Sequence, residues 1–174
     1  MPVIRGDVAR TAVSPERRNS LLQVLSGELS GEGRPGGPVI FEIPLDESGR
    51  IDVLVVWQEF QGLRSEDRSS LIEDAYGSRQ GNIAQALGVT FQEAIEQHLL
   101  PYAVVPMVRQ GEVDAAELRA VMLAEGGFPE PQNKVNLRFP TMAMAETVHR
   151  RLCDKLPRGY WSIEQAMTSS SSGS

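Results

Sequence analysis

The sequence contains one cysteine, Cys153, and two histidines, His98 and His149. A single thiol excludes an intramolecular disulfide framework and a metal site built from several thiolates. The longest apolar stretch, residues 99–108, is too short to span a bilayer and contains two prolines. Residues 1–13 have no apolar core of the signal-peptide type. By elimination, we expect a cytoplasmic protein with no membrane partner.

The charge of the chain is acidic overall but unevenly spread. Hydrophobic residues make up 41% and charged residues 23% of the 174 residues, as in globular proteins, and the formal net charge is −6. Residues 134–158 are the exception, because they carry Lys134, Arg138, Arg150, Arg151, Lys155 and Arg158. A nucleic-acid binder needs a basic face to displace counterions from phosphate, and this segment alone offers one. The simpler interpretation is the solvated face of a helix.

Apolar periodicity predicts an α+β fold, in which a mixed β-sheet packs with amphipathic helices. An N-terminal β-hairpin is predicted from alternating strands at 39–43 and 51–57 and a glycine-containing turn at 46–49. Two or three further strands complete the sheet, at 103–108, at 135–139 and at 160–164. Pro106 indicates an edge or bulged position for the first of them. Helices are predicted to begin at Ser14, Ser65, Asn82, Thr90, Asp114 and Thr141.

The hairpin also carries a prediction about burial. Alternation places Val53 and Val55 in the core, and Asp52 and Gln58 on the opposite face. The apolar residues at positions 54 and 56 leave open a second arrangement, in which the sheet is covered on both faces.

Composition predicts three segments. Residues 1–37 form an N-terminal helix and a linker rich in Gly and Pro, with the loop beginning at Ser26. Residues 38–165 form a single α+β domain. Residues 166–174 form a disordered Ser/Gly tail, since such a sequence cannot pack a core.

Two short motifs match nucleotide-binding or DNA-binding patterns in their letters only. Residues 31–36 match G-x-G-x-x-G, but they follow a helix and precede a strand, the reverse of the dinucleotide-binding order. Residues 82–90 look like the first half of a helix-turn-helix. The helix that would enter the major groove carries Glu93 and Glu96 and no basic residue, so phosphates would repel it. A helix pair over 82–99 that serves packing is the simpler interpretation.

No catalytic, metal or cofactor site is predicted. His149 and Cys153 can share a helix face with Glu146, but a zinc site needs three or four protein ligands. His98 lies on an apolar stripe and is expected to be a hydrogen-bonded core histidine. The carboxylates of adjacent acidic residues, such as Glu66 and Asp67, point in different directions on a helix. These residues therefore indicate surface charge and not a catalytic pair.

Residues 55–76 resemble the middle of BolA-like proteins, in which a hairpin strand leads into F-x-G and an arginine opens an amphipathic helix. The matching positions are Phe60, Gly62, Arg68, Leu71 and Ile72. Ser69 stands where the BolA-like pattern has the histidine used for iron–sulfur partnership with glutaredoxins. That role is therefore not carried over, and residues 78–100 would be an insertion.

The hypothesis that these observations favour is a non-enzymatic protein-interaction or regulatory module, which binds a protein partner or self-associates. Aromatic and arginine side chains dominate interface energetics, so Phe60, Arg64 and Arg68 are the candidate binding residues for a protein. Arg150 and Arg151 are the candidate binding residues for nucleic acid. The alternative is a nucleic-acid-binding regulator that uses the 82–99 helix pair or the basic segment 134–158.

Overall fold

The computed structural model describes residues 13–33, 36–107, 113–132, 134–156 and 160–166. It confirms the α+β class. By contacts the chain divides into two compact units, Met1–Glu93 and Ala94–Ser174. The single domain over residues 38–165 stays a prediction, and all but the first residue of the predicted disordered tail lie outside the described residues. Among the helices in the described part of the chain, none combines the length and the apolar character needed to cross a membrane.

The first unit packs two helices with a three-stranded mixed sheet. Its elements are α1 (Pro15–Leu29), β1 (Val39–Pro44), β2 (Ile51–Val56), α2 (Ser65–Tyr76) and β3 (Ile83–Val89). The strand order is β1-β2-β3, in which β1 is antiparallel and β3 parallel to the central strand. Short 3-10 turns follow β2 and α2. A further helix, α3 (Phe91–Glu96), begins in this unit and ends in the second.

Helix α1 begins as the sequence predicts and ends later. The Ser14 side chain accepts a hydrogen bond from the Arg17 amide, and Pro15 occupies the first turn, where no intrahelical N–H bond is lost. The helix continues past Ser26, the predicted start of the loop, to Leu29. The apolar stripe of α1 explains this extension, because Leu25 is fully buried and anchors the third turn in the core.

The predicted hairpin and the core face of its second strand are confirmed. Gln58 does not lie on the opposite face of that strand, because β2 ends at position 56. Val53 and Val55 are each 1% exposed, whereas Asp52 is only half-buried and Gln58 is exposed in the turn after β2. Leu54 is buried as well, and so is the apolar residue at position 56. The arrangement left open by the sequence is therefore the one found, and β2 is buried on both faces.

The predicted helix at 82–87 is wrong, because Ile83–Val89 is a strand. Its alanines suit a helix, but parallel pairing with β2 across the α2 crossover decides the conformation. A Cβ at Gly88 would lie 2.8 Å from the Phe60 ring and 2.9 Å from the Arg68 Cβ. Gly88 is thus required for the close packing of β3 against Phe60 and Arg68, and it lies within the strand and not in a turn. The helix pair proposed for nucleic-acid binding does not exist.

Helix α2 shows one smaller correction. Ser65, the predicted cap, is the first helical residue, and Arg64 takes the capping position. Gly77 ends the helix with a φ of 57°, which favours glycine.

The second unit packs two helices with a four-stranded antiparallel sheet. Its elements are β4 (Tyr102–Pro106), α4 (Ala115–Ala124), β5 (Phe128–Pro129), β6 (Val135–Phe139), α5 (Met142–Lys155) and β7 (Trp161–Gln165). The order is β5-β6-β4-β7, and β4 pairs with β6 and β7 in continuous register, so the predicted edge or bulged position is wrong. Pro106 is tolerated there because the pairing of β4 with β6 ends at Val104, so position 106 is paired on one side only.

The predicted caps of α4 and α5 are confirmed. The Asp114 and Thr141 side chains accept hydrogen bonds from backbone amides of α4 and α5. Helix α5 contacts β4, β6 and β7 through its buried residues Ala145, Val148 and Leu152. The prediction that His98 is a core histidine is wrong, because His98 is exposed. It lies just after α3 and has a positive φ of 55°.

Candidate functional site

A groove of about 700 Å³ runs along α1 in the first unit. Its first wall is one face of the helix: Arg17, Ser20, Leu21, Gln23, Val24, Gly27 and Glu28. The other wall consists of Glu32, Gly36, Gly37, Pro38, Trp57 and Glu59. The helical positions recur every three or four residues, so they form a continuous strip about 16 Å long. We call this cavity the α1 groove.

The floor of the α1 groove is apolar and held in place by the core. Leu21 and Trp57 belong to the hydrophobic cluster of the first unit and are 5% and 6% exposed. The Trp57 amide donates a 2.9 Å hydrogen bond to the Val89 carbonyl. The Trp57 ring packs edge-to-face on the Phe60 ring, with the two ring centroids 5.4 Å apart. The floor is therefore formed before any ligand binds, as in most binding sites.

The rim of the groove is polar and carries more acid than base. At the N-terminal end of α1, the Arg17 guanidinium lies 3.3 Å from a Glu59 carboxylate oxygen and 3.3 Å from the Glu59 carbonyl. At the C-terminal end lie Glu28 and Glu32, and within the described residues neither carboxylate forms an ion pair. Among the lining residues that the structure describes, three glutamates against one arginine give a charge of −2.

The Glu28 and Glu32 carboxylates lie beside the C-terminal end of α1. A Glu28 oxygen is 3.4 Å from the point where a Cβ at Gly33 would be, and a Glu32 oxygen is 3.3 Å from the equivalent point at Gly27. Helix α1 has no basic residue in its last turn. Since the C-terminus of a helix carries a partial negative charge, this end of the groove attracts cations.

The structure places Phe60 and Arg68 inside the protein. Phe60 is fully buried, and the Arg68 side chain is 5% exposed. The Arg68 guanidinium donates to the Glu93 carboxylate at 2.5 and 3.2 Å and to the Gly88 carbonyl at 3.1 Å. Its carbon lies 5.8 Å from the centre of the Phe60 ring. Both residues tie α2 to β3 and offer no surface to a partner in this conformation.

Arg64 is exposed and lies away from the α1 groove. Its side chain forms an ion pair with Asp67 at 2.9 Å, one turn along α2. This hydrogen bond raises the pKa of Arg64 above its ordinary value. The guanidinium therefore stays charged and remains accessible to a partner.

Arg150 and Arg151 are exposed on α5, where a second groove of about 440 Å³ lies. Arg151 and Lys155 contact the largely buried Glu125 carboxylate at 3.0 and 2.6 Å. Asp154 lines the same groove. Acidic side chains therefore offset much of the local basic charge, which weakens the attraction for phosphate. Nucleic-acid binding through residues 134–158 stays a prediction.

No cluster of three or more potential metal ligands occurs in the described ranges. Cys153 is exposed. The His149 Nε2 lies 2.8 Å from the Trp161 carbonyl oxygen. Because a carbonyl can only accept a hydrogen bond, Nε2 donates the proton and is not available as a metal ligand.

The pKa of the Tyr76 side chain is strongly perturbed. Burial, then a 2.7 Å hydrogen bond from its hydroxyl to the Glu42 carboxylate, raise the pKa of Tyr76 well above its ordinary value. The phenol is thus held protonated at neutral pH and fastens α2 to the edge strand β1. This arrangement suits a structural donor, not an activated nucleophile.

Sequence reasoning misses the α1 groove. Trp57 stands out as a large aromatic at the hairpin exit, but Glu28 and Glu32 fall in a predicted linker. A sequence signal does exist, since small and polar residues at 20, 23 and 27 recur with helical spacing between Arg17 and Glu28. What this strip faces cannot be inferred without the fold.

Comparisons of the chain with models of protein families, with curated proteins and with solved structures found no match. The resemblance of residues 55–76 to BolA-like proteins stays a prediction.

Proposed function

We propose that this chain is a cytoplasmic, non-enzymatic protein-interaction module that holds its partner in the α1 groove. The observation that carries the proposal is the construction of the groove, with a preformed apolar floor at Leu21 and Trp57 under a polar rim. Protein interfaces combine an apolar centre with a polar periphery in the same way. Tryptophan is also among the residues that contribute most to binding free energy.

The dimensions of the groove favour a segment of a protein over a whole domain surface. A strip about 16 Å long accommodates about five residues of an extended chain. A volume of about 700 Å³ lies within the range of sites that enclose a compact ligand or a few side chains. The partner is a segment of another protein, or of a second copy of this chain.

The test blocks the groove without touching its floor. Ser20 is exposed at the rim, and a Ser20→Trp substitution fills the space above the floor. Asn19→Trp is the matched control, because Asn19 is also exposed on α1 but does not line the groove. Both variants should retain the wild-type melting temperature.

The wild-type chain and each variant are used to enrich proteins from a lysate of the source organism. We expect Asn19→Trp to enrich the same proteins as the wild-type chain, and Ser20→Trp to lose them. Sedimentation velocity on the same three proteins covers self-association. Enrichment that both variants retain would contradict binding in the groove. If the wild-type chain neither enriches a protein nor self-associates, the interaction module itself is refuted.

A further inference from the structure

We infer that the α1 groove selects an extended basic segment, in which an apolar side chain lies two residues from a lysine or arginine. The inference rests on the proposed function and adds the chemistry of the partner. Its basis is charge complementarity between the acidic end of the groove and a cation, next to an apolar floor.

The cation would bind at the C-terminal end of α1. Glu28 and Glu32 lie there without an ion pair in the described part of the chain, and the helix end adds partial negative charge. A lysine or arginine side chain supplies positive charge and hydrogen-bond donors to both carboxylates. An acidic segment would meet uncompensated repulsion at the same place.

The spacing follows from the geometry of the helix. Val24 lies on the groove wall beside the Trp57 floor, and Glu28 is one turn further along. Four helical residues advance about 6 Å, close to the distance that two residues of an extended chain cover. Side chains two residues apart in an extended chain point to the same side. One apolar and one basic side chain can therefore enter the groove together.

The opposite end of the groove gives an independent expectation. Arg17 neutralises Glu59 there. Removing Arg17 takes away a positive charge that repels a basic segment and frees the Glu59 carboxylate. A basic segment should therefore bind more tightly to an Arg17→Gln variant, an effect that mere damage to the groove would not produce.

The experiment is an NMR titration of the 15N-labelled full chain with two peptides. The first alternates Leu-Ser-Arg-Ser over eight residues, and the second has glutamate in place of each arginine. We expect the arginine peptide to shift the amide resonances of Ser20, Val24 and Gly27, and the glutamate peptide to leave them unchanged.

Three variants measure the contribution of charge. A Glu28→Gln/Glu32→Gln double variant should weaken binding of the arginine peptide by about tenfold, and Arg17→Gln should tighten it by about threefold, as expected for exposed ion pairs. Glu47→Gln/Glu146→Gln is the matched control, because it changes the net charge equally at exposed sites outside the groove. This control should change the affinity less than about twofold.

Several results would overturn the inference: no shifts with the arginine peptide, equal binding of the glutamate peptide, or a loss in the Glu28/Glu32 variant no larger than in the control. Equal binding of free arginine amide would indicate a site for a small cation and would also overturn it. If these results appear while the Ser20→Trp and Asn19→Trp comparison still shows groove-dependent capture, the interaction module stands and only the basic partner is wrong.

Discussion

Replacing Arg68 with methionine tests whether this arginine stabilises the first unit or serves a partner. The side chain is 5% exposed and fixed by hydrogen bonds to Glu93 and to the Gly88 carbonyl. Methionine fills similar space but donates no hydrogen bond. The variant therefore removes the polar contacts and changes the packing little.

The magnitude follows from these contacts. The Glu93 side chain is 34% exposed, so water can solvate it and the ion pair contributes about 1 kcal/mol. The hydrogen bond to the buried Gly88 carbonyl contributes about 1.5–3 kcal/mol, as for bonds from charged donors. Burial of the guanidinium opposes both, since its Nε–H has no acceptor among the described residues. We expect the variant to lower the free energy of unfolding by about 2–3 kcal/mol.

The assay is urea unfolding followed by tryptophan fluorescence in a Trp161→Phe background, which leaves Trp57 to report on the unit that contains Arg68. Arg64→Met is the matched control, because the Arg64–Asp67 ion pair is exposed. It should cost less than about 0.5 kcal/mol. A loss below about 1 kcal/mol in Arg68→Met, or equal losses in both variants, would refute the stabilising role.

Two further predictions concern the hairpin and the phenol beside it. Val55→Asp places an unpaired charge at a position that is 1% exposed and should cost several kcal/mol, so an unchanged melting temperature would contradict the assigned core face. Because the folded-state pKa of Tyr76 is raised, the stability that this phenol contributes is fully present below its unfolded pKa near 10 and is lost as the pH rises above that value. The free energy of unfolding, measured in urea, should therefore fall between about pH 8 and pH 11 by about 1 kcal/mol more for the wild-type chain than for Tyr76→Phe. Equal decreases in the two proteins would show that the phenol ionises normally.

The local features of the chain could be predicted because each depends on a few neighbouring residues. Ser14, Asp114 and Thr141 accept the hydrogen bonds expected of helix caps. Gly77 ends α2 because a left-handed backbone favours glycine. The core face of β2 follows from alternation at Val53 and Val55.

The candidate binding residues show where this reasoning stops. Phe60 and Arg68 have the residue types of an interface, but the structure buries both. Arg64 and Arg151 are exposed, and each has an acidic neighbour that a sequence search by residue type does not reveal. Residue type predicts what a side chain can do, whereas its neighbours decide what it does.

By itself, the sequence determined the α+β class, the hairpin and its buried face, most of the helix caps and most element positions, because hydrogen bonds and apolar periodicity within one segment specify these features. Only the tertiary structure decided that Ile83–Val89 is a strand, that β4 lies inside its sheet and that Glu28 and Glu32 border a groove. Each of these depends on partners far along the chain: β2 for β3, β7 for β4, and Trp57 for the face of α1. Apart from proline, local propensities differ by at most about 1 kcal/mol per residue, so long-range pairing and burial override them.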